Sequence, residues 1–118
     1  MSHHHLFVYG TLRRGCDNQF ARLLSERGRF VYEARVPGRL YDFGSYPGAR
    51  QGEQLSESIV GEVFYLDEPD AVLATLDEYE GPEFKRAKVT AGATDCWIYW
   101  YVGAAQGRLI ASGDWFQR

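Results

Sequence analysis

Histidine is missing from the chain beyond its first five residues: all three copies, His3, His4 and His5, stand together at the N-terminus. A Ser-His or Cys-His nucleophilic pair, or a histidine-based zinc site, therefore has no raw material between Leu6 and Arg118. The run itself reads as a frayed terminus or a tag remnant. It sets the expected boundaries: a disordered start over 1–5 and one folded domain over 6–118. Lysine is nearly as scarce, at Lys85 and Lys88 alone, which leaves Schiff-base chemistry few candidates. The two cysteines, Cys16 and Cys96, lie far apart with no C-x-x-C pair and no metal-ligand spacing, and read as reduced thiols. No apolar run approaches the ~18 residues a transmembrane helix needs. No basic cluster exceeds the pair Arg13-Arg14, and 13 basic against 16 acidic residues leave a net charge of -3. That balance argues against a nucleic-acid partner, which calls for a basic stripe. The expectation is a soluble, cytoplasmic protein with no membrane partner, its oligomeric state left open.

What remains is an ordinary globular inventory, with 118 residues, 45% apolar and 15% aromatic, enough for one domain with a core of its own. Leu6 to Tyr9 is a short apolar run closed by Gly10, the pattern of a buried strand. Phe20, Leu23 and Leu24 give helical spacing over Asp17 to Arg27, with Asp17 or Asn18 as cap and Gly28 as stop. Phe30 to Phe43 reads as two extended pieces bent at Pro37-Gly38, and Ser45 to Glu57 as loop. Ile59 to Leu66 is a strand whose interior Gly61 signals a bulge or a close backbone approach. The clearest helix follows. Asp67-Glu68-Pro69-Asp70 opens it, Val72, Leu73, Leu76 and Tyr79 form an apolar stripe, and Gly81-Pro82 stops it. Phe84 to Thr90 and Cys96 to Val102 are two more strands, and a further extended piece falls near Leu109 to Ala111. Several strands with two helices predict an α+β domain, a closed or nearly closed small barrel with helices packed outside.

With histidine absent, proton chemistry falls to Asp, Glu, Tyr, Cys and backbone groups. One carboxylate stands out by helical phase. With Val72 at zero and about 100° per residue, Leu76 falls near 40°, Leu73 near 100° and Glu80 near 80°, inside the apolar stripe. Glu78 falls near 240°, and Asp70 and Asp77 at about 160° and 140°, towards the polar side. A carboxylate aimed at a core is paired, neutralised or employed, because burial penalises its charge. The structural alternative is a terminal-turn glutamate that bends into solvent or pairs with an arginine such as Arg86. A second constellation is Tyr9-Gly10-Thr11-Leu12, where amides released by the end of a buried strand can cup a carboxylate or an oxyanion. It lacks the second glycine and lysine of a phosphate-binding loop.

Together, Tyr9-Gly10-Thr11-Leu12 and Leu76-Asp77-Glu78-Tyr79-Glu80-Gly81 resemble the γ-glutamylcyclotransferase family in its short AIG2-like branch. The likeness runs on through Gly38-Arg39-Leu40-Tyr41, Tyr46-Pro47, Val60-Gly61-Glu62-Val63 and Ser112-Gly113-Asp114-Trp115. It implies a small mixed β-barrel flanked by helices and conversion of a γ-glutamyl amine or γ-glutamyl amino acid to 5-oxoproline, with no metal, cofactor or covalent nucleophile. It implies further that Tyr9, Gly10, Thr11 and Leu12 hold the γ-glutamyl carboxylate and that Glu80 is the general acid/base. Thr11-Leu12, in place of Ser-Asn, leans towards γ-glutamylamines. Phe84 departs from the pattern, since relatives often carry a tyrosine near that point. Both halves of the site must then face one cavity, walled by aromatics, with Tyr46 as a substrate contact and a residue of the Trp97 to Tyr101 strand beside it. The rival readings are a non-catalytic domain of the same fold that binds a small ligand or a protein, and a Cys16 hydrolase.

Overall fold

The computed structural model describes residues 4–52 and 57–118. In chain order the elements are β1 (His5–Val8), α1 (Gln19–Arg27), β2 (Gly28–Pro37), β3 (Arg39–Asp42), β4 (Pro47–Arg50), β5 (Ser58–Leu66), α2 (Pro69–Glu80), β6 (Phe84–Ala91), β7 (Thr94–Tyr101) and β8 (Arg108–Leu109), with a final 3-10 turn at Trp115–Gln117. The strands form one mixed sheet in the order β2-β5-β1-β7-β4-β3-β8, with β6 paired to β7. β1 runs antiparallel to β5 and parallel to β7, while β4 runs parallel to β7. The sheet curls into a half-barrel with the two helices against one face, so the α+β reading stands.

Alternation along the central strands builds two apolar layers. Leu6 and Val8 of β1, with Tyr99 of β7, meet Leu24 of α1 and Val72, Leu73 and Leu76 of α2. Phe7 and Tyr9, with Cys96, Ile98 and Trp100, face the other side of the sheet, where Leu40, Ala49, Ile110 and Trp115 close over them. Both faces of β7 are covered, as its unbroken aromatic and aliphatic sequence requires. Gly61 marks a close approach, since a Cβ there would lie 2.8 Å from Cε2 of Phe7.

Local signals set the helix ends. The Asn18 side chain accepts from the amides of Phe20 and Ala21 and so caps α1, settling the choice between Asp17 and Asn18. Pro69 opens α2, and Gly81, at φ 77°, ends it with its N–H on the Asp77 carbonyl. Glu80 is thus the last helical residue.

Three readings need correction. β4 was expected as loop, because Tyr46-Pro47-Gly48 carries turn chemistry; it is a strand because β3 pairs with it as a hairpin and Ala49 meets Trp100 of β7. Residues 53–56 of that predicted loop lie outside the described residues. Tyr79 leaves the apolar stripe: the residue is 37% exposed and its ring stacks on Phe20 at 4.0 Å between centroids. At the N-terminus, His5 is already strand and pairs with Tyr65, and the Leu66 amide donates to the His4 carbonyl at 2.7 Å. Strand β1 therefore starts at His5, one residue before the strand expected from Leu6.

Candidate active site

β1 ends at Val8, in the middle of the sheet, and the chain must turn away there. The Arg13 amide donates to the Gly10 carbonyl at 3.1 Å and closes that turn. Among the described residues the Thr11 and Leu12 amides find no acceptor. Gly10 has no need of a left-handed backbone here; a Cβ on it would lie 2.9 Å from Cδ of Pro47, so the glycine lets the turn sit against the start of β4. Between this turn, Pro47, the end of α2 and the start of β6 opens a cavity of about 290 Å³. Tyr9, Gly10, Thr11, Leu12, Tyr46 and Glu80 all line it, together with Tyr79, Tyr99 and Phe84.

Glu80 is held largely out of water, and that burial pushes its carboxyl up to about 7 from the usual 4.5. Among the described residues no side chain or amide hydrogen-bonds or ion-pairs with it. Arg86, the partner that the structural alternative offered, is engaged elsewhere: its Nε and Nη2 reach the two Asp77 oxygens at 2.8 and 3.0 Å. The Tyr99 hydroxyl also donates to Asp77, at 2.7 Å. Those bonds outweigh the effect of burial and hold the Asp77 carboxyl below its usual value. The α2 terminus thus carries a paired carboxylate and a bare one, with opposite displacements.

The expected contacts divide by what they can offer. The Tyr9 hydroxyl donates to the Tyr99 carbonyl at 2.6 Å and accepts from the Ala49 amide at 3.2 Å, so it ties the end of β1 to β7 and β4 and is not free for a ligand. Burial first, and the Glu80 charge second, raise that phenol well above the ordinary range. Leu12 is buried against the helices. The turn therefore presents backbone amides and the Thr11 hydroxyl, which shares a hydrogen bond of 3.2 Å with the Tyr79 hydroxyl. Tyr46 stacks on Phe43 with centroids 5.6 Å apart and lies 6.2 Å from Phe84. The aromatic wall stands as expected, with Tyr99 the contribution from β7. Among the described residues no Lys, Arg or His lines the cavity, whereas Glu83 adds a second carboxylate.

One aromatic cavity thus holds an unpartnered carboxyl and the unpaired amides of the Gly10 turn. Residues 6–117 match the family model described as "Gamma-glutamyl cyclotransferase, AIG2-like". The chain belongs to this family. A Vibrio cholerae protein named "Putative gamma-glutamylcyclotransferase" is 39% identical over 98% of this chain and 97% of its own length. The Escherichia coli protein ytfP is 32% identical, with a TM-score of 0.72 over 94% of this chain and 95% of that one. A mouse AIG2-like protein shares the fold at 24% identity and a TM-score of 0.68, over 87% of this chain and 81% of its own.

Sequence reasoning missed what holds the turn from behind. Arg13 is buried, its Nε 3.1 Å from Glu62 and its Nη1 2.7 Å from Asp114, while the Arg14 amide donates to Glu62 at 2.9 Å. The guanidinium also lies 4.0 Å from the Phe116 ring centre. Glu62 and Asp114 each stand in a quoted motif and Arg13-Arg14 directly follows one, but nothing local joins residues so far apart in sequence. Cys16 donates from Sγ to the Gly10 carbonyl at 3.6 Å, and burial raises its thiol; it is not among the cavity-lining residues. Among the described residues no three His, Cys, Asp or Glu side chains gather as metal ligands would.

Proposed function

We propose that the protein is a γ-glutamyl cyclotransferase that converts a γ-glutamyl amine to 5-oxoproline and the free amine, with Glu80 as general acid/base. The observation that carries this reading is the partnerless Glu80 carboxyl, displaced to about 7, in the same cavity as the Gly10 to Leu12 turn. The substrate's α-ammonium gives a proton to Glu80, and the freed amine attacks its own γ-carbonyl carbon. The ring C–N bond forms and the bond to the leaving nitrogen breaks. The attacking nitrogen keeps one hydrogen in the lactam; the two it loses end on the departing amine, with Glu80 as the carrier. A carboxyl poised near neutrality can both take and return that proton. Because the attack is intramolecular, holding the chain folded over contributes several kcal/mol by orientation alone. The turn amides serve the substrate carboxylate and the developing oxyanion, and Tyr46 packs against the substrate's carbon chain. No metal or cofactor takes part.

Between the two leaving-group classes, the cavity's charge favours the amine. A γ-glutamyl amino acid brings a second carboxylate, and among the described residues the lining answers with Glu80 and Glu83 and no cation. We place the protein in the cytoplasm, where free thiols such as Cys16 and Cys96 persist. The test is 5-oxoproline release from a panel of γ-glutamyl amines and γ-glutamyl dipeptides. Glu80→Gln is expected to lose roughly 100-fold or more in turnover, and Glu78→Gln to lose little. Equal activity of the two variants, or ligand binding without any turnover across the panel, overturns the catalytic reading and leaves a binding domain.

A further inference from the structure

Asp77 and Glu80 stand three positions apart at the end of α2, a spacing that brings side chains to within roughly 5–6 Å at Cβ. Arg86, from β6, lies against that same turn, with its guanidinium 4.4 Å from the Trp97 ring centre. The charges of Asp77, Arg86 and Glu80 are all felt at the Tyr99 hydroxyl, so one cation and one strong donor gather at this end of α2. Both are turned to Asp77.

We propose that Asp77 is a positioning residue that occupies the Arg86 guanidinium and the Tyr99 hydroxyl and so keeps the Glu80 carboxyl without a partner. The catalytic meaning of this arrangement rests on the reading of Glu80 as acid/base; the arrangement itself does not. Among the described residues, the titratable groups that line the cavity with Glu80 leave Arg86, bound to Asp77 on the same helical turn, as the cation to account for. Tyr9 comes from the end of β1, Tyr46 from the segment before β4, Tyr99 from β7, Tyr79 from α2 itself and Glu83 from the link to β6. None brings a positive charge. Bidentate geometry suits Arg86 to any carboxylate, and a carboxylate so held stays ionised far below neutrality. On Glu80 that would leave too weak a base to deprotonate an ammonium. Asp77 takes the guanidinium with both oxygens, the Tyr99 hydroxyl adds its bond to that pair, and Glu80 stays bare.

The experiment is a titration of the Glu80 side-chain carboxyl by carbon-13 NMR in the free protein, with Glu80→Gln identifying the resonance. The wild-type midpoint is expected near 7. Asp77→Asn is expected to lower it by about one unit or more, the effect of a newly available arginine. Arg86→Met alone is expected to raise it, because Asp77 then stands unneutralised beside it. The double variant Asp77→Asn with Arg86→Met is expected to return close to wild type. A midpoint unmoved in Asp77→Asn, or a lowered one that persists in the double variant, overturns the proposal. Should Asp77→Asn not fold, a midpoint that fails to rise in Arg86→Met does the same. The titration needs no substrate, so an enzyme assay without 5-oxoproline would refute the activity and leave this result standing. Where turnover is present, the acid limb of kcat/KM is expected to move with the NMR midpoint.

Discussion

Replacing Glu80 by Gln is expected to stabilise the protein, and only above acidic pH. In the folded chain burial holds the carboxyl near 7, against 4.5 when it is exposed. Between those values the native state keeps a proton that the unfolded state has released, so stability falls as pH rises. Below about 4.5 both states are protonated and the residue is neutral in its effect. Above 7 both are ionised, and the folded state bears the full cost of a buried charge. About 2.5 pH units separate the two values, and at about 1.4 kcal/mol for each the cost is about 3–4 kcal/mol. That is a large part of the 5–15 kcal/mol total typical of a single domain. Glutamine has nearly the shape of the protonated acid and does not titrate. Urea unfolding of wild type and Glu80→Gln from pH 4 to pH 8, compared at each pH, cancels the other groups. The difference is expected to grow from near zero to about 3–4 kcal/mol in favour of the variant. A difference that is flat across this range, or that favours the wild type at pH 8, refutes the claim that Glu80 is half-buried and unpartnered.

Three further outcomes follow from the same geometry. Gly10→Val drives a side chain into the Pro47 ring, and is expected to cost about 1–3 kcal/mol of stability and to raise KM by displacing the turn amides; unchanged KM with unchanged Tm would show that the turn is not packed as described. Arg13→Met strips the cation from Glu62 and Asp114 and is expected to cost about 3–5 kcal/mol in urea unfolding, whereas Arg14→Met, half in solvent, changes stability by less than about 1 kcal/mol; equal effects would contradict the buried triad. Cys16→Ser combined with Cys96→Ser is expected to retain turnover, and EDTA to leave the enzyme active; recovery of chelated enzyme on adding zinc would overturn the metal-independent mechanism.

The elements whose causes are local were legible in the chain itself. The Asp17-Asn18 pair and Gly28 bound α1, Pro69 and Gly81 bound α2, and the apolar runs at Leu6 and Cys96 are strands buried on both faces. In each case the signal is a backbone constraint or a periodicity carried by the residues concerned. Glu80 belongs to this group, because helical phase alone turns it from Glu78 towards the apolar stripe, and the Gly10 turn was recognisable by its place after a buried strand. Tertiary structure decided the rest. β4 is a strand through its neighbours β3 and β7, against the turn chemistry of Tyr46-Pro47-Gly48. Tyr79 left the core because Phe20 and Thr11 hold it at the cavity's edge. The partner of Arg86 could not be chosen from sequence, since Asp77 and Glu80 stand on one helical turn and only the side from which β6 packs separates them. The Arg13–Glu62–Asp114 triad joins three distant segments, and Tyr9 spends its hydroxyl on β7 and β4. Such pairings are set by which strands the sheet brings side by side, a property of the whole chain and of no window within it.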